Sequence, residues 1–136
     1  MTIADASAAA KILSGVKLNR IPDKEAKSAL LKDYLALRRV AKDANADKDE
    51  VVRKFQEDWG DELAAVESFR RQGKAVVGHL DYLEAERDAN KAISDIFTAE
   101  VEVEISPAKM DAVADLSDEV TFEQLAFLAE CGIVEE

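Results

Sequence analysis

Apolar residues recur along this chain with two different periods, and the change between them divides it. Ile3, Ala6, Ala10, Leu13 and Val16 fall at steps of three and four, which is one face of an amphipathic helix. Gly15 loosens the end of that helix. Pro22 cannot supply an interior helical amide and forces a fresh start, with Asp23 as the cap of a second helix. In that helix Leu30, Tyr34, Leu37, Ala41 and Ala44 alternate steps of four and three, and Leu31, Leu35 and Val40 widen the stripe. This is the strongest pattern in the chain, and its heptad-like spacing suits a long helix packed antiparallel on a neighbour. The polar stretch Asp43-Ala44-Asn45-Ala46-Asp47 predicts a turn, with Asn45 or Asp47 capping a third helix. That helix carries Val52, Phe55 and Trp59. Gly60-Asp61 offers a break before Leu63, Val66 and Phe69 resume the same face, and Gly73 divides the chain again. Val76, Leu80, Leu83, Ile93, Ile96 and Phe97 mark a last long helix to about Phe97, thinly packed where Arg87 and Asn90 fall on its inner face.

The period then drops to two. Glu100-Val101-Glu102-Val103-Glu104-Ile105 alternates acid with β-branched apolar residues, as a strand does when one face is buried and the other solvated. A lone strand leaves its backbone polar groups unpaired, so a partner is required, and Glu119-Val120-Thr121 or Ile133-Val134 can each supply one. Ser106-Pro107 reads as cap and first position of a short helix through Met110 and Val113. Thr121 with Gln124 is a capping-box signal for a helix from Phe122 to Glu130, which Gly132 ends. The expected fold is mainly α. It is an antiparallel helical bundle or long helical hairpin with a small C-terminal β-hairpin-plus-helix element, in one domain over 1–136 with the bundle in 1–98 and the α/β element in 99–136.

Composition narrows the function classes. A chain of 136 residues with 48% hydrophobic content can bury one core without disulfides or metal, and only five Gly and two Pro interrupt it. The formal net charge of -11 argues against nucleic acid as a partner, because that affinity comes mainly from Lys and Arg neutralising phosphates. The basic residues that could line a local groove, Arg38, Arg39, Lys42, Arg53 and Lys54, are interleaved with acids. Cys131 is the only cysteine, so no intrachain disulfide forms and nothing points to an oxidising compartment. The opening Met1-Thr2-Ile3-Ala4-Asp5 lacks the features of a secretory signal, and no stretch approaches the ~20 apolar residues of a membrane span. The expectation is a cytoplasmic protein that does not engage a membrane.

The candidate chemical constellations each have an ordinary structural explanation. Asp43-x-Asn45-x-Asp47-x-Asp49 has the alternating oxygens of a calcium loop, yet Lys48 stands at the glycine position and Lys54 at the bidentate glutamate position, so calcium is rejected. His79, the sole histidine, reads as a boundary residue of a helix, and Cys131 beside Gly132 as buried apolar filler. Asp81, Glu84 and Asp88 form a ridge at helical spacing, and such a charge run ordinarily faces water. Di-metal bundles need Glu-x-x-His on two helices, which one histidine cannot provide. There is no Gly-rich phosphate loop, Gly-x-Ser-x-Gly elbow or Cys-x-x-Cys pair. No catalytic, cofactor-binding or metal-binding residue is therefore assigned.

Three segments together, Val16 to Lys24 leading into the Leu/Tyr-rich helix, Phe55 to Gly60, and Thr98 to Ile105 before a short helical unit, resemble small phage- and prophage-encoded helical proteins. The resemblance implies a viral or integrated-element origin, and with it the bacterial host cytoplasm as the location, and supplies no catalytic residue. The leading functional expectation is a non-enzymatic interaction or assembly protein that presents the strand edge at Val101, Val103 and Ile105 to itself, as a homo-oligomer, or to a partner protein. The alternative is an acidic inhibitor that mimics nucleic acid towards a basic host protein, motivated by the net charge. A metal-dependent enzyme built on the Asp81 to Asp88 ridge is the third reading.

Overall fold

The computed structural model describes residues 1–113 and 119–136. In chain order these form α1 (Ile3–Ser14), a single 3-10 turn (Leu18–Arg20), α2 (Lys24–Arg71), α3 (Leu80–Thr98), β1 (Ala108–Lys109), α4 (Met110–Val113), α5 (Phe122–Glu130) and β2 (Val134–Glu135). The protein is mainly helical, as the apolar spacing predicts. It divides into two compact units, Met1–Asp43 with Thr98–Glu136, and Ala44–Phe97. This grouping differs from the expected division at 98/99, because the C-terminal segment packs with the N-terminal helices.

The helix ends follow local chemistry. Thr2 caps α1 through a reciprocal box: its hydroxyl accepts the Asp5 amide, and the Asp5 carboxylate accepts the Thr2 amide, each at 3.1 Å. Asp23 opens α2, its Oδ1 accepting the Glu25 amide at 3.0 Å. Thr121 and Gln124 form the expected box at the start of α5. Gly73 (φ +67°) and Gly132 (φ +78°) close α2 and α5 in the left-handed conformation that glycine adopts without penalty. In both places the amides reach back in a Schellman pattern, Gly73 to Arg70 and Lys74 to Phe69 after α2, Gly132 to Ala129 and Ile133 to Leu128 after α5.

Two expected interruptions are absent. The turn at Asp43 to Asp47 does not form, and neither Asn45 nor Asp47 acts as a cap, because α2 runs unbroken from Lys24 to Arg71. Ala44 and Ala46 are strong helix formers, Ala44 is buried on the apolar stripe, and the neighbouring acids lie on the solvated side. Arg53 adds local support by bonding Glu50 one turn before it and Glu57 one turn after it. Gly60 also stays helical, at a cost of about 1 kcal/mol relative to alanine.

In the first unit the core is built from Ala6, Ala9, Ala10 and Leu13 of α1, Ile21, Ala26, Leu30 and Leu37 at and along α2, and Ala108, Val113, Leu128, Ile133 and Val134 from the C-terminal segment. The expected α2 stripe holds at Leu30, Leu37 and Ala44, but its flanks differ. Leu31 and Leu35 are exposed, Tyr34 is half-buried, and Asp33 takes the inward position between Leu30 and Leu37. The sheet has two parallel strands of two residues each, with Ala108 opposite Val134 and Lys109 opposite Glu135. The expected β-hairpin is thus replaced by a parallel pair, with α4 and α5 in the intervening chain. Parallel strands cannot be joined by a tight turn and need such a crossover. α4 starts at Met110, three residues later than Ser106-Pro107 suggests, because Ala108 and Lys109 are taken by the sheet.

In the second unit Tyr82 of α3 is fully buried, its ring 5.4 Å from that of Phe55 and 6.2 Å from that of Trp59 between centroids. Such tilted and edge-on pairs are the favoured aromatic arrangements. Val66 and Ala44 are also buried here, so the expected face through Phe55, Trp59 and Val66 is present on α2. On α3 the inner face is centred on Tyr82, and Leu80, expected inside, is 79% exposed. Arg87 and Asn90 are exposed as well. Arg70 grips Glu86 with two guanidinium hydrogen bonds of 3.0 and 2.7 Å, and the Tyr82 hydroxyl donates to Glu86 at 3.2 Å. No helix among the described residues is long and apolar enough to cross a membrane.

Candidate functional site

The period-two segment supplies the candidate site, although it is not the strand that the sequence predicts. From Val101 to Ile105 burial alternates as in a pleated strand, with Val101, Val103 and Ile105 half-buried against the core and Glu102 and Glu104 exposed. Its pairing is confined to its first residues, where Glu100 bridges antiparallel to Thr2. The Ile3 amide donates to the Ala99 carbonyl at 3.0 Å and the Val101 amide to the Met1 carbonyl at 2.9 Å. Neither expected partner is used here. Glu119 and Val120 lie in a turn, and Ile133-Val134 serves β1 instead.

The far end of the segment is tied to α2. The Ser106 amide donates to Asp33 Oδ1 at 2.8 Å. Asp33 is fully buried, and its second oxygen, Oδ2, has no hydrogen-bond partner among the described residues. Burial pushes the Asp33 carboxyl above its usual range, while the Ser106 hydrogen bond and the nearby Lys32 ammonium pull it back in part. The sequence reading missed Asp33. The one available signal was a carboxylate at an inward position of the row Ala26, Leu30, Asp33, Leu37, visible only once the stripe is set one residue away from Tyr34.

Between these two ties the backbone is open. Residues along a strand direct their amide and carbonyl groups to alternate edges, so Val103 and Ile105 address the same edge as Val101. No backbone partner meets them among the described residues, the bonding on that edge stopping at the Val101–Met1 pair. An open groove of about 760 Å³ runs along it, lined by Met1, Val101 to Ile105 and Cys131. The charges around this groove are mostly carboxylates. Glu102 and Glu104 line it, Glu100 engages the Met1 ammonium at 3.3 Å, and Asp5 and Glu130 act on Cys131. Burial foremost, then those two carboxylates, push the Cys131 thiol up against the pull of the terminal ammonium, which keeps it protonated and weakly nucleophilic. Cys131 is half-buried on the groove wall, a less enclosed position than the buried one expected.

The other constellations are dispersed. His79 is half-buried, its Nδ1 3.3 Å from Glu62 Oε2 and its ring 6.1 Å from that of Phe69. Asp81, Glu84 and Asp88 are exposed on α3, and no group of three or more His, Cys, Asp or Glu residues is placed to hold a metal ion among the described residues. Arg38, Arg39 and Lys42 are exposed, and Arg53 is engaged by two glutamates. A smaller pit of about 140 Å³ bounded by Leu13, Val16, Leu18, Leu30, Leu31 and Tyr34 is apolar apart from Ser14. Compared with protein-family models, curated proteins and solved structures, the chain matches none.

Proposed function

We propose that this chain is a non-enzymatic interaction or assembly protein, an accessory factor of the kind that the resemblance to small phage-encoded helical proteins implies. Its working surface is the edge that begins at the Val101–Met1 pair and is free at Val103 and Ile105. The observation that carries this reading is a backbone segment held at one end by Met1 and at the other by Asp33, with its middle unpaired beside an open groove. A segment fixed at both ends has already lost much of its conformational freedom, so a chain that adds to it orders less on binding. Main-chain hydrogen bonds supply the attraction, and the groove admits the incoming backbone.

The nucleic-acid mimic draws less support from these features. Arg53 lies between Glu50 and Glu57, Arg70 is bound to Glu86 and Arg71 to Glu67, which intersperses cations with the acids on α2 instead of leaving a phosphate-like row.

Selection of ten-residue peptides displayed against the immobilised full chain tests the proposal. Binders are expected to protect the Val103 and Ile105 amides from hydrogen exchange and to lose affinity at least tenfold for the Val103→Pro chain, which lacks that donor. Binders that leave both amides unprotected and tolerate Val103→Pro overturn it.

A further inference from the structure

We infer that the occupant of this edge is an extended basic segment of a partner protein, with Lys or Arg at alternate positions and apolar residues between them, and not a second copy of the chain. The inference rests on the edge reading above and adds the chemistry of the partner. Residues directly opposite one another in an antiparallel pair project to the same face. Residues facing Val103 and Ile105 therefore lie over the apolar side, where those two side chains pack against the core. Residues facing Glu102 and Glu104 lie on the exposed side, where the described residues supply neither carboxylate with a cationic partner. Cations at those two positions match both carboxylates.

A second copy meets the opposite situation. Two-fold pairing of the free part of this edge, centred on Val103 or on Glu104, places Glu102 opposite Glu104 or Glu104 opposite itself, and like charges placed directly opposite weaken a strand pair. The groove adds more negative charge nearby in Asp5 and Glu130, and the ammonium of Met1 on its wall is already engaged by Glu100. The net charge of -11 on each copy adds long-range repulsion.

The experiment titrates the full chain with three fluorescent eight-residue peptides that alternate valine with lysine, glutamate or threonine, and reads hydrogen exchange at the Val103 and Ile105 amides. The lysine peptide is expected to bind at least about tenfold more tightly than the glutamate peptide, to protect both amides and to weaken as salt rises from low to physiological strength. In the Glu102→Lys/Glu104→Lys chain, altered only at exposed positions, the preference is expected to reverse. Equal binding of all three peptides with both amides protected overturns the basic-segment inference while leaving the open edge intact. Protection of the two amides by self-association, without peptide, assigns the edge to a second copy and also overturns it. Failure of every peptide to protect these amides removes the edge reading itself.

Discussion

The unit that contains α1 and the unit that contains α3 solve the same packing problem with different side chains. The first buries alanines (Ala6, Ala9, Ala10, Ala26 and Ala108 among larger residues) and joins pieces far apart in sequence. The second buries Tyr82 against Phe55 and Trp59, within one contiguous stretch of chain. Small side chains bring backbones close and leave little room for added volume, whereas an aromatic anchor concentrates its contribution in one residue. The segment Val101 to Ile105 belongs to the first unit, so its position depends on contacts made far away in sequence, above all with Met1 and Asp33.

The largest effect is expected in the second unit. Tyr82→Ala removes a fully buried ring and should cost about 3–5 kcal/mol, read as lost hydrogen-exchange protection in α3. A loss below about 1 kcal/mol would show that the aromatic cluster does not anchor this unit. In the first unit the sensitive change is an increase in volume. Ala9→Leu, at a position with no exposed surface, should cost about 1–3 kcal/mol in a denaturant titration, and a neutral result would mean the alanine-lined core is looser than described.

The buried carboxyl sharpens the contrast through pH. Asp33 has a raised pKa, so the folded chain holds that proton more tightly than the unfolded one. The stability that protonation contributes is fully present below the ordinary value of 3.8 and is lost as pH rises through the raised one. Asp33→Asn keeps an oxygen for the Ser106 amide and removes the charge. Its stability relative to the parent chain is therefore expected to be greatest at neutral pH and to decline on acidification through that window. A difference that stays constant with pH, or grows towards acid, contradicts this account. The smallest effect is expected at Leu80, where Leu80→Ser should change stability by no more than about 0.5 kcal/mol because the side chain is 79% exposed.

These outcomes also mark how far the sequence reaches. The capping box of Thr121 and Gln124, the Gly132 and Gly73 stops and the restart at Asp23 were legible because each is settled within a few residues. The α2 stripe was legible at Leu30, Leu37 and Ala44, but its flanks were not. Whether Leu31 and Leu35 or Asp33 face inward beside it depends on what packs against α2. The missing turn at Asp43 to Asp47 has a similar cause, since acids and asparagine suit an exposed helical face as well as a loop. For the candidate site, the alternation at Val101, Val103 and Ile105 matches the burial of that segment, although only its first residues are paired. Its partners lie far off in sequence, Met1 to Ile3 by about 100 residues and Asp33 by about 70, and nothing local identifies them.

The central claim is that this segment is tied at both ends and open in the middle. Residue-resolved hydrogen exchange on the free chain tests it most directly. The Val101 and Ser106 amides are expected to be protected, while those of Val103 and Ile105 exchange near the rate of an unstructured peptide. Equal protection at all four would mean the edge is already paired, and no protection at any would mean the ties do not hold.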